Sequence, residues 1–188
     1  MNTKKKCKFT EKIAWSSFAF ILIGLVAGAI ATTGTVILVE KTSTNEFCAS
    51  CHSHDAMVAS FKKSNHGGVN RVGHVAKCVD CHLPHDNLAN TLITKAIVGT
   101  NDVMVEFFGD PGAINWHKRR KLREEYVYDS GCLQCHVRLT EATKDNKRAL
   151  QSHKAYFSGE LEDMKCVSCH KNVGHKDLRE HIDDPLYK

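Results

Sequence analysis

Cys48-Ala49-Ser50-Cys51-His52, Cys78-Val79-Asp80-Cys81-His82, Cys132-Leu133-Gln134-Cys135-His136 and Cys166-Val167-Ser168-Cys169-His170 repeat one spacing, and that spacing decides the fold. In Cys-x-x-Cys-His, two thiols stand where they form thioethers with the vinyl groups of a porphyrin, and the His that follows is delivered to the iron. A zinc reading would use pairs of Cys-x-x-Cys to close tetrahedral sites, and it gives no reason for a His after every second Cys. The motifs consume eight of the nine cysteines. Four covalently bound haem c groups are therefore expected, attached at Cys48, Cys51, Cys78, Cys81, Cys132, Cys135, Cys166 and Cys169, with His52, His82, His136 and His170 as the motif-supplied iron ligands.

A chain of 188 residues has room for one modest domain and an anchor, and its aliphatic content is thin for a large conventional core. Haem supplies apolar bulk instead. Twelve histidines are present. Those outside the motifs, His54, His66, His74, His85, His117, His153, His175 and His181, are the pool from which second axial ligands are drawn. The net charge of +5 is mild and would be offset by haem propionates, so no nucleic-acid partner is read from it. Cys7 sits among Lys4, Lys5, Lys6 and Lys8 and reads as a free thiol on the reducing side of a membrane.

From Ile13 to Val39 there is no charged residue. As a helix this stretch is about 40 Å long, enough to cross a hydrocarbon core of roughly 30 Å. The rival is a cleavable signal peptide ending near Ala27, Ala29 or Ala31, but the apolar run continues well past those alanines. The lysines before the run outnumber those straight after it, which leaves residues 1–12 as a basic cytoplasmic segment, 13–39 as a single transmembrane helix and 40–188 outside, in the periplasm. Haem c is attached in that compartment, so two independent signals agree. Gly24 and Gly28 form a small-x-x-x-small pair, a hint of an oligomer.

No convincing alternating strand follows the anchor. The expected fold class is mainly α with extensive loops: one N-terminal transmembrane helix and a periplasmic tetrahaem cytochrome c domain. Arg119 to Tyr128 and Thr140 to Tyr156 read as polar helices. Between His82 and Cys132 lies the widest gap between motifs, an apolar stretch with Leu88, Leu92, Ile93, Ile97, Val98, Val103, Val105, Phe107 and Phe108. Lys95 and Asp102 are set in it. An unbroken helix puts them on one face two turns apart, and Gly99 is the residue that would break it. The plain reading is an amphipathic helix with two solvated charges.

The anchor, the four motifs and the order of the histidines around them resemble the NapC/NirT family of membrane-anchored tetrahaem quinol dehydrogenases. Cys81-His82-Leu83-Pro84-His85-Asp86-Asn87, with Lys95-Ala96 downstream, is most similar to the NrfH branch, which feeds periplasmic cytochrome c nitrite reductase. The resemblance implies that His66, His153 and His175 are distal iron ligands. It implies that Lys95 and Asp102 line a quinol pocket beside haem 1, the catalytic pair of the chain. Quinol releases two protons with its two electrons, so a carboxylate to take a proton and an ammonium to orient the oxygen fit that role. The family has a Met two residues after the first motif's His, and in the NrfH branch that Met can ligate haem 1. Here His54 stands there, leaving His52, His54 or both as ligands, and His117 matches a further candidate near haem 1. His74, His85 and His181 are read as surface or supporting residues.

The function expected on this resemblance is oxidation of menaquinol at haem 1 and transfer of electrons to a periplasmic multihaem reductase subunit, foremost a nitrite reductase. A quinol dehydrogenase serving a hydroxylamine, nitrate or other reductase, a self-contained multihaem reductase and a passive membrane-tethered cytochrome are the rivals.

Overall fold

The computed structural model of the chain describes residues 3–184, without the side chains of residues 3–14 and of Ser16. The expectations for the basic segment 1–12, Cys7 among them, rest on side chains outside the described residues. Helix α1, Thr3–Lys41, is followed by a separate unit that begins at Ser43. Within α1 the stretch Ser17–Lys41 is long and apolar enough to cross a membrane. Two of its hydroxyls bond back to the helix: Thr32 Oγ1 donates to the Gly28 carbonyl at 2.8 Å and Thr35 Oγ1 to that of Ala31 at 2.9 Å. Such back-bonding satisfies those two hydroxyls within the helix itself. The helix also runs past Val39 through Glu40 to Lys41, whose cation suits a helix C-terminus.

The second unit is built of helices and loops, with no strand among the described residues and one isolated bridge between Gly67 and Val75. In chain order its helices are α2 (Asn45–Cys48), α3 (Asp55–Lys62), α4 (Cys78–His82), α5 (Leu88–Phe108), α6 (Trp116–Arg119), α7 (Arg123–Tyr126), α8 (Asp129–Cys135), α9 (Leu139–Ala142), α10 (Lys147–Phe157), α11 (Cys166–Cys169) and α12 (Leu178–Asp183). Short 3₁₀ turns lie at His52–His54, Pro111–Ala113 and Arg120–Leu122.

Two predicted helices are each broken in two. The stretch from Thr140 to Tyr156 is divided because Asn146 restarts the chain as an N-cap, its side chain accepting from Ala149 N at 3.1 Å. Between Arg119 and Tyr128 the backbone tightens into the 3₁₀ turn, and Leu122 leaves helical geometry at φ −94°, ψ 28°. The Arg119 guanidinium then folds back over the Tyr126 ring, 5.8 Å from its centroid. By contrast α5 runs unbroken through Gly99. It starts at the cap Asn87, which accepts from Asn90 N at 2.9 Å, and it ends at Gly109. A glycine inside a helix costs about 1 kcal/mol relative to Ala, which a helix of this length tolerates.

The chain's own apolar core is small, with Ala56, Ala76, Leu83, Val167 and Ile182 buried beside Pro84. Polar ties do much of the joining. Ser60 on α3, fully buried, donates to the Lys176 carbonyl at 2.8 Å and so helps to seat α12 on α3. Where α4 crosses α8, Gly131 permits a close approach: a Cβ there would be driven into the Asp80 carbonyl oxygen. The two helices carry the second and third motifs.

Candidate haem and redox site

Two residues that the sequence reading passed over, Asn45 and Asp129, set the motifs side by side. Each lies three positions before the first Cys of a motif. Asn45 accepts from Cys78 N at 2.8 Å and donates to the Ala76 carbonyl at 2.9 Å, which joins the first motif to the second. Asp129 repeats the device, accepting from Cys166 N at 3.0 Å and from the Tyr156 hydroxyl at 2.6 Å, and so joins the third motif to the fourth. In each pair the leading thiols lie in contact, Cys48 with Cys78 and Cys132 with Cys166. A backbone bond from Tyr128 N to the Cys81 carbonyl, 3.0 Å, and the α4–α8 crossing link the second motif to the third. The attachment positions therefore form a continuous row in chain order.

Three of the four motif histidines face a second imidazole. The ring centroids of His82 and His175 are 6.2 Å apart, those of His66 and His136 are 6.1 Å apart, and those of His153 and His170 are 6.2 Å apart. An iron bound by two imidazole nitrogens at about 2 Å each puts the ring centres roughly 6 Å apart, so the donor set fits a bis-imidazole haem at each pair. On four of these six rings the outer nitrogen is tied to a partner, as in ligating histidines. His82 Nδ1 donates to the Tyr126 carbonyl at 2.8 Å, His66 Nδ1 to Val173 at 3.1 Å and His175 Nδ1 to Met57 at 3.0 Å, while His153 Nδ1 meets the Thr143 hydroxyl at 3.3 Å. Burial depresses the pKa of His82, and burial together with nearby His82 pushes His175 down to about 4. Both rings are neutral at pH 7, the form that can ligate.

The first motif differs. His52 is turned outward, its side chain 91% exposed, with Nδ1 only 3.5 Å from Asp55. His54 is partly buried instead, and its Nδ1 donates to the Cys48 carbonyl at 3.0 Å, the same tie that the paired histidines make. Helix α5 lies beside this segment. The charges of His54, Lys95 and Asp102 are all felt at Cys48, and those of Glu106 and Asp102 at Cys51. Lys95 Nζ donates to Ser43 Oγ at 3.0 Å. Burial lowers the Lys95 pKa, and burial raises that of half-buried Asp102 against the opposing pull of His54 and His82. Lys95 and Asp102 are thus not fully solvated charges.

Among the described residues His117 does not face a second imidazole. Its Nε2 is taken by Asp183 at 2.8 Å, because α6 packs on α12. His85 Nε2 bonds the Val79 carbonyl at 3.0 Å, and His181 is buried. Glu106, another residue absent from the sequence reading, accepts from His52 N at 2.9 Å and from Ser53 N at 3.3 Å. Its position one turn beyond Asp102 was the available signal.

A family model for the N-terminal region of the NapC/NirT cytochrome c family matches residues 10–180. The tetrahaem c-type cytochrome CymA of Shewanella oneidensis is 30% identical over 178 residues, covering 89% of this chain and 94% of that protein. The denitrification system component NirT of Stutzerimonas stutzeri is 27% identical over 171 residues, covering 86% of this chain and 82% of its own length. A chain of the crystal structure of the cytochrome c nitrite reductase NrfHA complex bound to the HQNO inhibitor superposes with a TM-score of 0.51 at 28% identity, covering 84% of this chain and 90% of that one.

Proposed function

The chain belongs to the NapC/NirT cytochrome c family, and from that membership and the geometry above we propose that it oxidises menaquinol beside its first motif and passes the electrons to a periplasmic multihaem reductase. It is a tetrahaem c-type cytochrome of electron transport with an apolar N-terminal anchor helix. Haem c supplies reversible one-electron chemistry at an iron whose potential the axial ligands set. In this reading His82 and His175 hold haem 2, His136 and His66 haem 3, and His170 and His153 haem 4. His54 holds haem 1.

The observation that carries the reading is the continuous row of attachment sites with Lys95 and Asp102 at its first member. A quinol hydroxyl directed at that end meets Lys95, which orients its oxygen, and Asp102, which accepts its proton as charge leaves. Proximity of the motif pairs then gives the electrons a path from the first motif to the fourth. The likeness to a chain of the NrfHA complex supports a nitrite reductase as the partner, and the likeness to NirT, a denitrification system component, favours a second reading in which another reductase is served.

Anaerobic mixing of the detergent-solubilised protein with menaquinol is the direct test. Reduction of its c-type absorption bands, blocked by HQNO, is the expected outcome, and reduction by dithionite alone would overturn the proposal. The protein retained after mild extraction from native membranes identifies the partner. Separately, replacing His66, His153 or His175 with Ala should each convert one haem from low to high spin in electron paramagnetic resonance. Unchanged spectra in all three variants would overturn the pairing.

A further inference from the structure

Glu106 carries no role in the reading above, yet it makes two of the bonds that fix the first motif. The 3₁₀ turn at His52–His54 has no side-chain cap of its own at Cys51. Its opening N–H groups therefore need an acceptor from elsewhere. Both oxygens of the Glu106 carboxylate are so used, one on His52 N at 2.9 Å and one on Ser53 N at 3.3 Å, from a helix more than fifty positions away in the chain. At 3.6 residues per turn Glu106 lies one turn beyond Asp102 and three beyond Lys95, so one face of α5 carries all three.

We propose that Glu106 is a positioning residue: its carboxylate fastens the first haem-attachment segment to the helix that bears Lys95 and Asp102, and it keeps a negative charge beside Cys51. The inference rests on the menaquinol reading for the purpose of the clamp, but the clamp itself is a matter of hydrogen bonds and charge. Removing it loosens the segment on which His54 is carried, and with it the register between that ring and Asp102. Glu106→Gln removes the charge and keeps one carbonyl oxygen as an acceptor, so it retains part of the clamp while taking away the local negative charge that held the haem 1 potential down.

The test uses Glu106→Gln and Glu106→Ala in the full-length haem-loaded protein. Redox titration poised with dithionite, which involves no quinol, reads the potential of each haem, and electron paramagnetic resonance reads haem 1. In Glu106→Gln the haem 1 potential should rise while its line shape is kept. In Glu106→Ala the potential should rise and the haem 1 signal should broaden or split, with menaquinol oxidation about 10- to 100-fold slower, the scale of losses from small misplacements. The other three haems should stay unchanged in both. Wild-type haem 1 potential and line shape in both variants would overturn the proposal, even if the melting temperature falls. A shifted haem 1 in a protein that menaquinol never reduces would leave the clamp standing and sink the quinol reading alone.

Discussion

Asp102→Asn and Lys95→Leu should each slow menaquinol oxidation by about 10²- to 10⁴-fold while haem content and dithionite reduction stay at wild-type levels. The size of the effect separates two roles for the same residues. A positioned proton acceptor is worth orders of magnitude, whereas removing a solvated charge on a helix surface changes almost nothing. The local environment argues for the first. Burial raises the pKa of Asp102 and lowers that of Lys95, shifts that a freely hydrated side chain does not undergo. The sign for pH follows directly. Asp102 accepts a proton only when ionised, so the rate should fall as pH drops through its elevated pKa, and Asp102→Asn should flatten that acid limb. Wild-type turnover of menaquinol by both variants would place the quinol elsewhere.

Much of this was legible because the chemistry is written in contiguous spacing. Cys-x-x-Cys-His is a local motif, and the uncharged run from Ile13 to Val39 is local too, so the helical class and the anchor could be read without tertiary information. The distal histidines are not local. His175 meets His82 and His66 meets His136 across long loops, and only the fold says which ring faces which. The breaks near Leu122 and at Asn146 depended on side-chain capping and packing that override periodicity. Asn45, Asp129 and Glu106 escaped for one shared reason. Each is a polar residue of ordinary appearance whose partner is a backbone N–H far away in sequence.

His54→Ala should strip haem 1 of its protein ligand, and His52→Ala should not. The two rings are close in sequence but differ in everything that makes an imidazole a ligand. His52 points outward beside Asp55, while the ring of His54 is partly buried and held through Nδ1 by the Cys48 carbonyl at 3.0 Å. That tie fixes the tautomer with Nε2 unprotonated and aims it away from the carbonyl, the arrangement found at His66, His82 and His175. His54→Ala should therefore give haem 1 a high-spin signal and a raised potential. His54→Met should raise the potential without full loss of ligation, since a thioether favours the reduced iron relative to imidazole. Intact mass on every variant checks that four haems remain attached, so a change in spectrum cannot be confused with a missing group. If His52→Ala removes the ligand and His54→Ala leaves haem 1 unchanged, the outward ring must swing inward when the haem is bound, and the carbonyl tie at His54 is a packing contact without a role in ligation.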